Sequence, residues 1–363
     1  MINLERGWRG GERQTWLTAL GLQEVGIAIT VLVRTKGELA KRLAASQINS
    51  VECSSSVAAL LYLLRSRKRY SHYHAQTSSA LTWLAMLRPL LQGAVVFTRR
   101  TAFPLTKKDQ SPRQQHKQRR SLQWKWGKAD AFVAISQAAA ADPIQLGFNP
   151  RIIPSAVEFV AADTEHIVAF SEQHQLNGRY VLGTVAALSA EKDPLTTVRA
   201  VHELWQQRQD FVFLHVGAEG NASAEVRALI QQLGLNEVYK LVGFEARIED
   251  IYRLLHVFVL SSTFEALGSS VLDAFLYAAP VVVTQTGGLV ELVADERGIV
   301  CAVGDYHAIA AACNRLLDDE ELRKRYVLKA LEWVQSTHSV PQMVHSYIEL
   351  YQELTIPNSK STL

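Results

Sequence analysis

Two carboxylates, Glu265 and Asp273, lie eight residues apart around the stretch Ala266-Leu267-Gly268-Ser269. The apolar run VFVL comes before them and a helix-like run starts near Gly268–Ser270. The free N–H groups and dipole of such a helix start favour an anion such as a diphosphate. Carboxylates offer two acceptor oxygens each and suit vicinal sugar hydroxyls at either end of that anion. A nucleotide sugar, with hydroxyls at both ends and phosphates between, fits this spacing. For Asp273 a second reading stays open, because Ser270-x-x-Asp273 also has the spacing of a helix capping box.

Groups of this kind need strand-to-helix loops to hold them. From residue 180 onward the runs YVLGTVAAL, FVFLHVG, VYKLVG, VFVLSS, PVVVT and GIV read as buried strands. Stretches such as DPLTTVRAVHELWQQ and SAEVRALIQQLG alternate with them at helical spacing. Alternation of this kind predicts a parallel sheet covered on both faces by helices, whose ligands sit beyond the carboxyl ends of the strands. The first half repeats the pattern with GIAITVLVR, AVVFTRR and AFVAIS as strands and helices at 10–22, 37–45, 57–65 and 78–88. At 363 residues, 48% of them hydrophobic, the chain exceeds what one core usually organises. The fold class expected is α/β, with two doubly wound Rossmann-like domains. The proline-broken stretch LGFNPRIIPSAVEF marks the crossover. The expected division is 1–155, 156–340 and a terminal helix and tail at 341–363 that packs back toward the first domain.

Residues 1–160 carry 23 Lys/Arg against 9 Asp/Glu, and residues 161–363 carry 15 against 26. The basic excess concentrates in residues 99–128, with ten Lys/Arg, one acid, and Trp124 and Trp126 near the end. Such density must face solvent or an anionic partner. Cations with flanking indoles suit an anionic membrane surface; a solvated loop stays open, and nucleic acid is disfavoured because no nucleic-acid-reading motif accompanies the charge. The apolar stretches VAALLYLL (57–64) and ALTWLAML (80–87) end at Arg65 and Arg88, short of the roughly 20 residues a membrane span needs. No basic-then-apolar leader opens the sequence. Cys53, Cys301 and Cys313 have neither disulfide-framework nor metal-ligand spacing. The expected location is the cytoplasm, peripheral on the inner face of the cell membrane.

The segment EALGSSVLD followed by APVVVTQTGGLVELV resembles the donor-site motif of the retaining glycosyltransferases of family 4, which have the GT-B fold of two facing Rossmann-like domains. Two departures stand out: Ala266 replaces the motif's first glycine, and Asp273 replaces the commoner Glu. The resemblance implies that Glu265 contacts the transferred sugar. It also implies that the backbone at Ala266, Leu267, Gly268 and Ser269 holds the diphosphate and Asp273 the ribose, with GG and Glu291 completing the motif. In TVAALSAEKDP, Lys192 matches one half of a diphosphate clamp and Ala187 stands where relatives have Arg, with a solvated surface lysine beside Asp193 the other reading. RGWRGGERQT resembles the family's first strand-to-helix loop, with Gly10 and Gly11 letting backbone approach the phosphates. Only MINL precedes that loop, fewer strand residues than in relatives, so a few more residues of a central strand are expected ahead of it.

By the same resemblance, YSHYHAQTSSA places His74 and Gln76 at the positions of a His-x-His on the donor-sugar or acceptor side. His72 is out of register and reads as a surface or core residue. Arg99 and Arg100 end a strand at that rim and either meet an acidic acceptor or phosphates or form a solvated pair. Gly217 and Phe244 fall where relatives hold the nucleotide base, with core packing the other reading of Phe244. The resemblance implies retention at the anomeric carbon, no metal and no further cofactor. Charge stabilisation by helix amides, glycine amides and Lys192 would do the catalytic work. The partners implied are a nucleotide-sugar donor and a glycan or lipid-linked acceptor, with a bacterial envelope glycan such as lipopolysaccharide core the leading acceptor. The rival readings are a nucleotide-sugar epimerase of the same architecture and a non-catalytic lipid- or nucleic-acid-binding protein. A dinucleotide-dependent oxidoreductase is disfavoured, since no strand is followed by Gly-x-Gly-x-x-Gly and a later acid.

Overall fold

A computed structural model describes residues 1–102 and 111–355. The chain forms two compact units, the first from Met1–Glu158 with the segment from His338, the second from Phe159–Thr337.

The first unit holds strands β1 (Ile2–Asn3), β2 (Val31–Arg34), β3 (Ser50–Cys53), β4 (His72–Ala75), β5 (Ala94–Arg99), β6 (Ala131–Ala134) and β7 (Arg151–Ile152). They form one parallel sheet in the order β3-β2-β1-β4-β5-β6-β7. Its helices are α1 (Gly10–Glu24), α2 (Glu38–Ala45), α3 (Ser56–Arg65), α4 (Ser78–Leu87), α5 (Pro112–Trp126) and α6 (Gln137–Gln145). Serine or threonine at Ser55, Thr77, Ser111 and Ser136 caps the last four, each side-chain oxygen accepting a backbone N–H of the first turn. The stretch expected as crossover supplies the edge strand β7.

The second unit holds α7 (Thr164–Gln173), β8 (Tyr180–Val185), α8 (Pro194–Trp205), β9 (Phe211–Val216), α9 (Ser223–Gln232), β10 (Tyr239–Gly243), α10 (Ile248–Leu254) and β11 (Val257–Leu260). It continues with α11 (Ser269–Leu276), β12 (Val281–Thr284), α12 (Gly288–Val293), β13 (Ile299–Cys301), α13 (Tyr306–Asp318) and α14 (Glu320–Thr337). The sheet order is β10-β9-β8-β11-β12-β13, again parallel. β9, β11 and β12 are buried along their whole length, because helices cover both faces and leave no polar alternation.

The chain then returns to the first unit as α15 (Val340–Thr355). α15 lies close on α1: a Cβ added at Gly21 would meet Val344 Cγ2 at 2.5 Å. Its Met343, Tyr347 and Leu350 join Leu17, Val96 and Val133 in one apolar cluster. The opposite face of that sheet is covered by α3, α4 and α5, whose Leu63, Leu84 and Trp126 pack with Tyr73, Val95 and Phe97. Strand alternation thus sends Val95 and Phe97 one way and Val96 the other. All three cysteines are buried and free. Among the described residues no helix is long and apolar enough to cross a membrane.

Candidate active site

Each sheet reverses its direction of growth once, between β8 and β11 in the second unit and between β1 and β4 in the first. The loops at such a switch point diverge and leave a crevice at the carboxyl ends of the strands.

In the second unit, the loop after β8 ends in a 3-10 turn at Ala190–Lys192 and in Asp193, whose φ of 46° is left-handed. Asp193 Oδ1 and Oδ2 cap α8 by accepting from Thr196 N (3.3 Å) and Oγ1 (2.6 Å), which holds that strained backbone. The loop after β11 is fastened to it. The Ser261 hydroxyl reaches the Lys192 and Asp193 carbonyls (3.0 and 2.8 Å), and the Thr263 N–H donates to Glu191 O (2.9 Å). Across this joint the Lys192 ammonium pairs with Glu265 Oε1, and the Ser262 hydroxyl donates to the same oxygen at 3.2 Å. Among the described residues Glu265 Oε2 has no hydrogen-bond or ion-pair partner, so one carboxylate oxygen is pinned and the other keeps its accepting capacity.

Helix α11 begins at Ser269 with Gly268 at its N-cap, φ 96°, and no side chain caps it. The Ser270–Asp273 capping-box reading is therefore overturned, and the first-turn amides lack a side-chain acceptor. Gly287 and Gly288 explain the paired glycines. Gly287 has φ 46° and a Cβ there would stand 1.8 Å from Glu265 O; one on Gly288 would stand 2.5 Å from Ala266 O. The Gly288 N–H donates to Glu265 O at 3.2 Å. The backbone that carries Glu265 rests directly on this glycine turn. Leu267 points into the core, leaving only backbone for a ligand, and Asp273, one turn into α11, exposes 4% of its surface. On α12, Glu291 is half-buried and its carbonyl accepts from Arg297 (2.9 Å).

Gly217, at the end of β9, has φ 156°, and a Cβ would lie 1.9 Å from Ala186 O. Its N–H donates to Gly243 O at 2.8 Å, which ties the loop after β9 to that after β10. Phe244, next in the chain, is 73% exposed, so core packing is overturned as its role. Beneath the loops lies His215, buried between Tyr239 Oη (2.7 Å) and Ala186 O (3.2 Å), with burial pushing its pKa down to about 4.

In the first unit, Gly10 and Gly11 are the opening residues of α1 and not its preceding loop. Glu12, which the sequence did not single out, accepts from Arg9 N (3.0 Å) and Asn3 Nδ2 (3.3 Å). A Cβ at Gly11 would lie 3.9 Å from Arg100 Cδ. Arg100 donates through Nε and Nη2 to Gln76 Oε1 (3.1 and 2.7 Å). His74 is buried, sharing hydrogen bonds with Tyr351 Oη and Thr98 Oγ1 at 2.7 Å each. Burial, then the nearby cations including Arg100, hold its pKa well below the usual imidazole range. With both ring nitrogens engaged and the ring neutral, His74 is a support and not an exposed sugar contact. His72 sits half-buried, bonded to the Tyr351 carbonyl at 3.0 Å.

Arg99 parts from Arg100. Arg99 is buried against Asp142 (2.8 Å) and the Ala139 carbonyl (3.2 Å), 5.3 Å from the Trp126 ring centre. Neither arginine belongs to a solvated pair, and only Arg100 stands beside Gln76 and Gly11. Trp126 packs edge-on against Phe132 in the core, so the expectation of two interfacial indoles in the basic arm is corrected to one, Trp124. Residues 103–110 of that arm lie outside the described residues. Among the described residues no group of three or more His, Cys, Asp or Glu is arranged to hold a metal ion.

Residues 8–159 match Glycosyltransferase Family 4 and residues 168–333 match Glycosyl transferases group 1. The sheets are those of the GT-B class. A crystal structure of Anabaena Alr3699/HepE in complex with UDP and glucose superposes with a TM-score of 0.85, 18% identity, and coverage of 97% of this chain and 98% of that one. Glycosyltransferase family models thus match the two units in turn. A curated relative, the 2-deoxystreptamine glucosyltransferase of Streptomyces kanamyceticus, is 28% identical over 54% of this chain and 53% of its own. The lipopolysaccharide core biosynthesis glycosyltransferase LpsE of Rhizobium meliloti is 26% identical over 38% and 41% respectively. The chain spans about half the length of the curated relatives it matches.

Proposed function

We propose that the protein transfers a sugar from a nucleoside-diphosphate sugar to a hydroxyl of a glycan or lipid-linked glycan, with retention at the anomeric carbon, in bacterial envelope polysaccharide or lipopolysaccharide synthesis. The observation that carries this reading is Glu265, one oxygen held by Lys192 and Ser262 and the other open, beside the uncapped start of α11. The open oxygen accepts from sugar hydroxyls. The α11 amides and Lys192 offset the charge that grows on the departing diphosphate. Asp273 meets the ribose with no more than an edge of its carboxylate, given its burial. Gly217 and Phe244 would meet the base. Gln76 and Arg100 serve the acceptor side. The reading invokes no metal and no further cofactor.

The UDP and glucose of the Anabaena complex and the lipopolysaccharide role of the Rhizobium relative support this assignment. The enzyme would work as a peripheral protein on the inner face of the cell membrane, where lipid-linked acceptors reside. Screening nucleotide sugars by thermal shift, then following transfer by NMR of the product's anomeric proton, tests it. A stabilising donor consumed only with acceptor present, and yielding the donor's own anomeric configuration, is expected. Conversion of the donor with no acceptor would instead identify an epimerase.

A further inference from the structure

Helix α3 has two apolar faces and only one of them is used. Ala59 and Leu63 are fully buried against the sheet. On the outward side, Val57, Leu61 and Leu64 recur at positions i, i+4 and i+7 and are 65%, 48% and 36% exposed. A helix apolar all round is normally covered on both sides. Immediately after its last turn comes Arg65-Ser66-Arg67-Lys68-Arg69, four cations in five residues. Arg65, Lys68 and Arg69 are exposed, and no carboxylate pairs with them among the described residues. The other two helices on this side of the sheet add exposed apolar groups of their own, Met86 from α4 and Trp124 from α5, each about half exposed. α5 also carries Arg113, Lys117, Arg119 and Arg120 on its exposed surface.

We propose that this side of the first unit, centred on α3 and the basic run after it, is the surface that docks on an anionic lipid bilayer. The charge decides between occupants. A second copy of this chain would bring the same cations against each other, whereas anionic head groups neutralise them while Val57, Leu61 and Leu64 enter the acyl boundary. An indole such as that of Trp124 belongs at this interface. RNA would meet the cations but leaves the apolar stripe wet. The inference deepens the peripheral-membrane part of the proposed function and rests on it. It shifts the centre of the contact from the 99–128 segment, whose Trp126 is core, to α3, and keeps the exposed cations and Trp124 of α5 at its margin.

The test is co-sedimentation of the full chain with vesicles of phosphatidylcholine alone and of equal parts phosphatidylcholine and phosphatidylglycerol. Binding is expected to the mixed vesicles only, and to weaken with added salt. Arg65→Ser with Lys68→Ser should lower the partition coefficient about twenty-five-fold, at about fivefold per cation lost. Leu61→Glu should lower it about tenfold or more. Nucleotide-sugar affinity, measured on the same variants, should be unchanged. Mixed-vesicle binding that both variants leave intact overturns the proposal. So does self-association abolished by Leu61→Glu, or a preference for single-stranded RNA over vesicles. Vesicle binding by a wild-type protein with no affinity for any nucleotide sugar would keep this surface and remove the glycosyltransferase reading.

Discussion

At its switch point the second unit sets opposite charges, Lys192 against Glu265, on backbone packed over glycine. The first unit sets a chain of neutral groups at its own, with His74 between Thr98 and Tyr351 and Gln76 beneath the guanidinium of Arg100. One arrangement keeps a carboxylate oxygen open. The other ties its polar groups to one another and holds a single cation in place through Gln76. The difference teaches that the same sheet reversal can leave an acceptor unpartnered in one unit and present a charge rigidly in the other.

Glu265→Gln tests that division most severely. It retains the hydrogen bond from Ser262 but loses the charge, and turnover should fall on the order of a hundred- to a thousandfold with little change in melting temperature. Turnover within about threefold of wild type would break the contrast. Gly287→Ala should act on stability, because its Cβ would overlap Glu265 O and its φ of 46° disfavours a side chain. A loss of about 3 kcal/mol or more in denaturant unfolding of the second unit is expected.

Protonation acts on a buried imidazole in each unit, His74 in the first and His215 in the second, and the second can be isolated. The unfolded imidazole of His215 binds a proton near its ordinary 6.5, but in the folded protein burial delays this to about 4. Its contribution is complete above 6.5 and is lost as pH falls toward 4, by about 3 kcal/mol. His215→Gln should flatten that part of the stability profile. Smallest of all is Tyr351→Phe, which removes one hydroxyl from His74. It should cost about 1 kcal/mol in the first unit and leave nucleotide-sugar affinity untouched.

The second unit was readable from sequence because its information is local. Its strands are continuous apolar runs, and Glu265, Gly268 and the paired glycines lie within one strand–helix–strand passage. Asp273 was readable as a candidate but not in its burial, which depends on how α11 seats against its neighbours. In the first unit the decisive contacts are distant. Tyr347 and Tyr351 are nearly three hundred residues from His74, and although a terminal helix packing back on the first domain is expected, no local pattern names the residues it meets there. Arg99 and Arg100 were separable in principle, since Arg99 follows Val95 and Phe97 in the strand alternation while Arg100 follows Val96 and Thr98. What was lacking was the point where β5 ends. Trp126 likewise follows Leu122 at helical spacing toward the core, a relation hidden by the surrounding charge.

Helix α15 imposes an order on biogenesis. The residues that close the cluster of Leu17, Val96 and Val133 are translated after the entire second unit. The second unit, being continuous in the chain, is free to fold as it leaves the ribosome. The first must wait with Leu17, Val96 and Val133 short of their cover, and that nascent interval is when its sheet is most open to wrong associations.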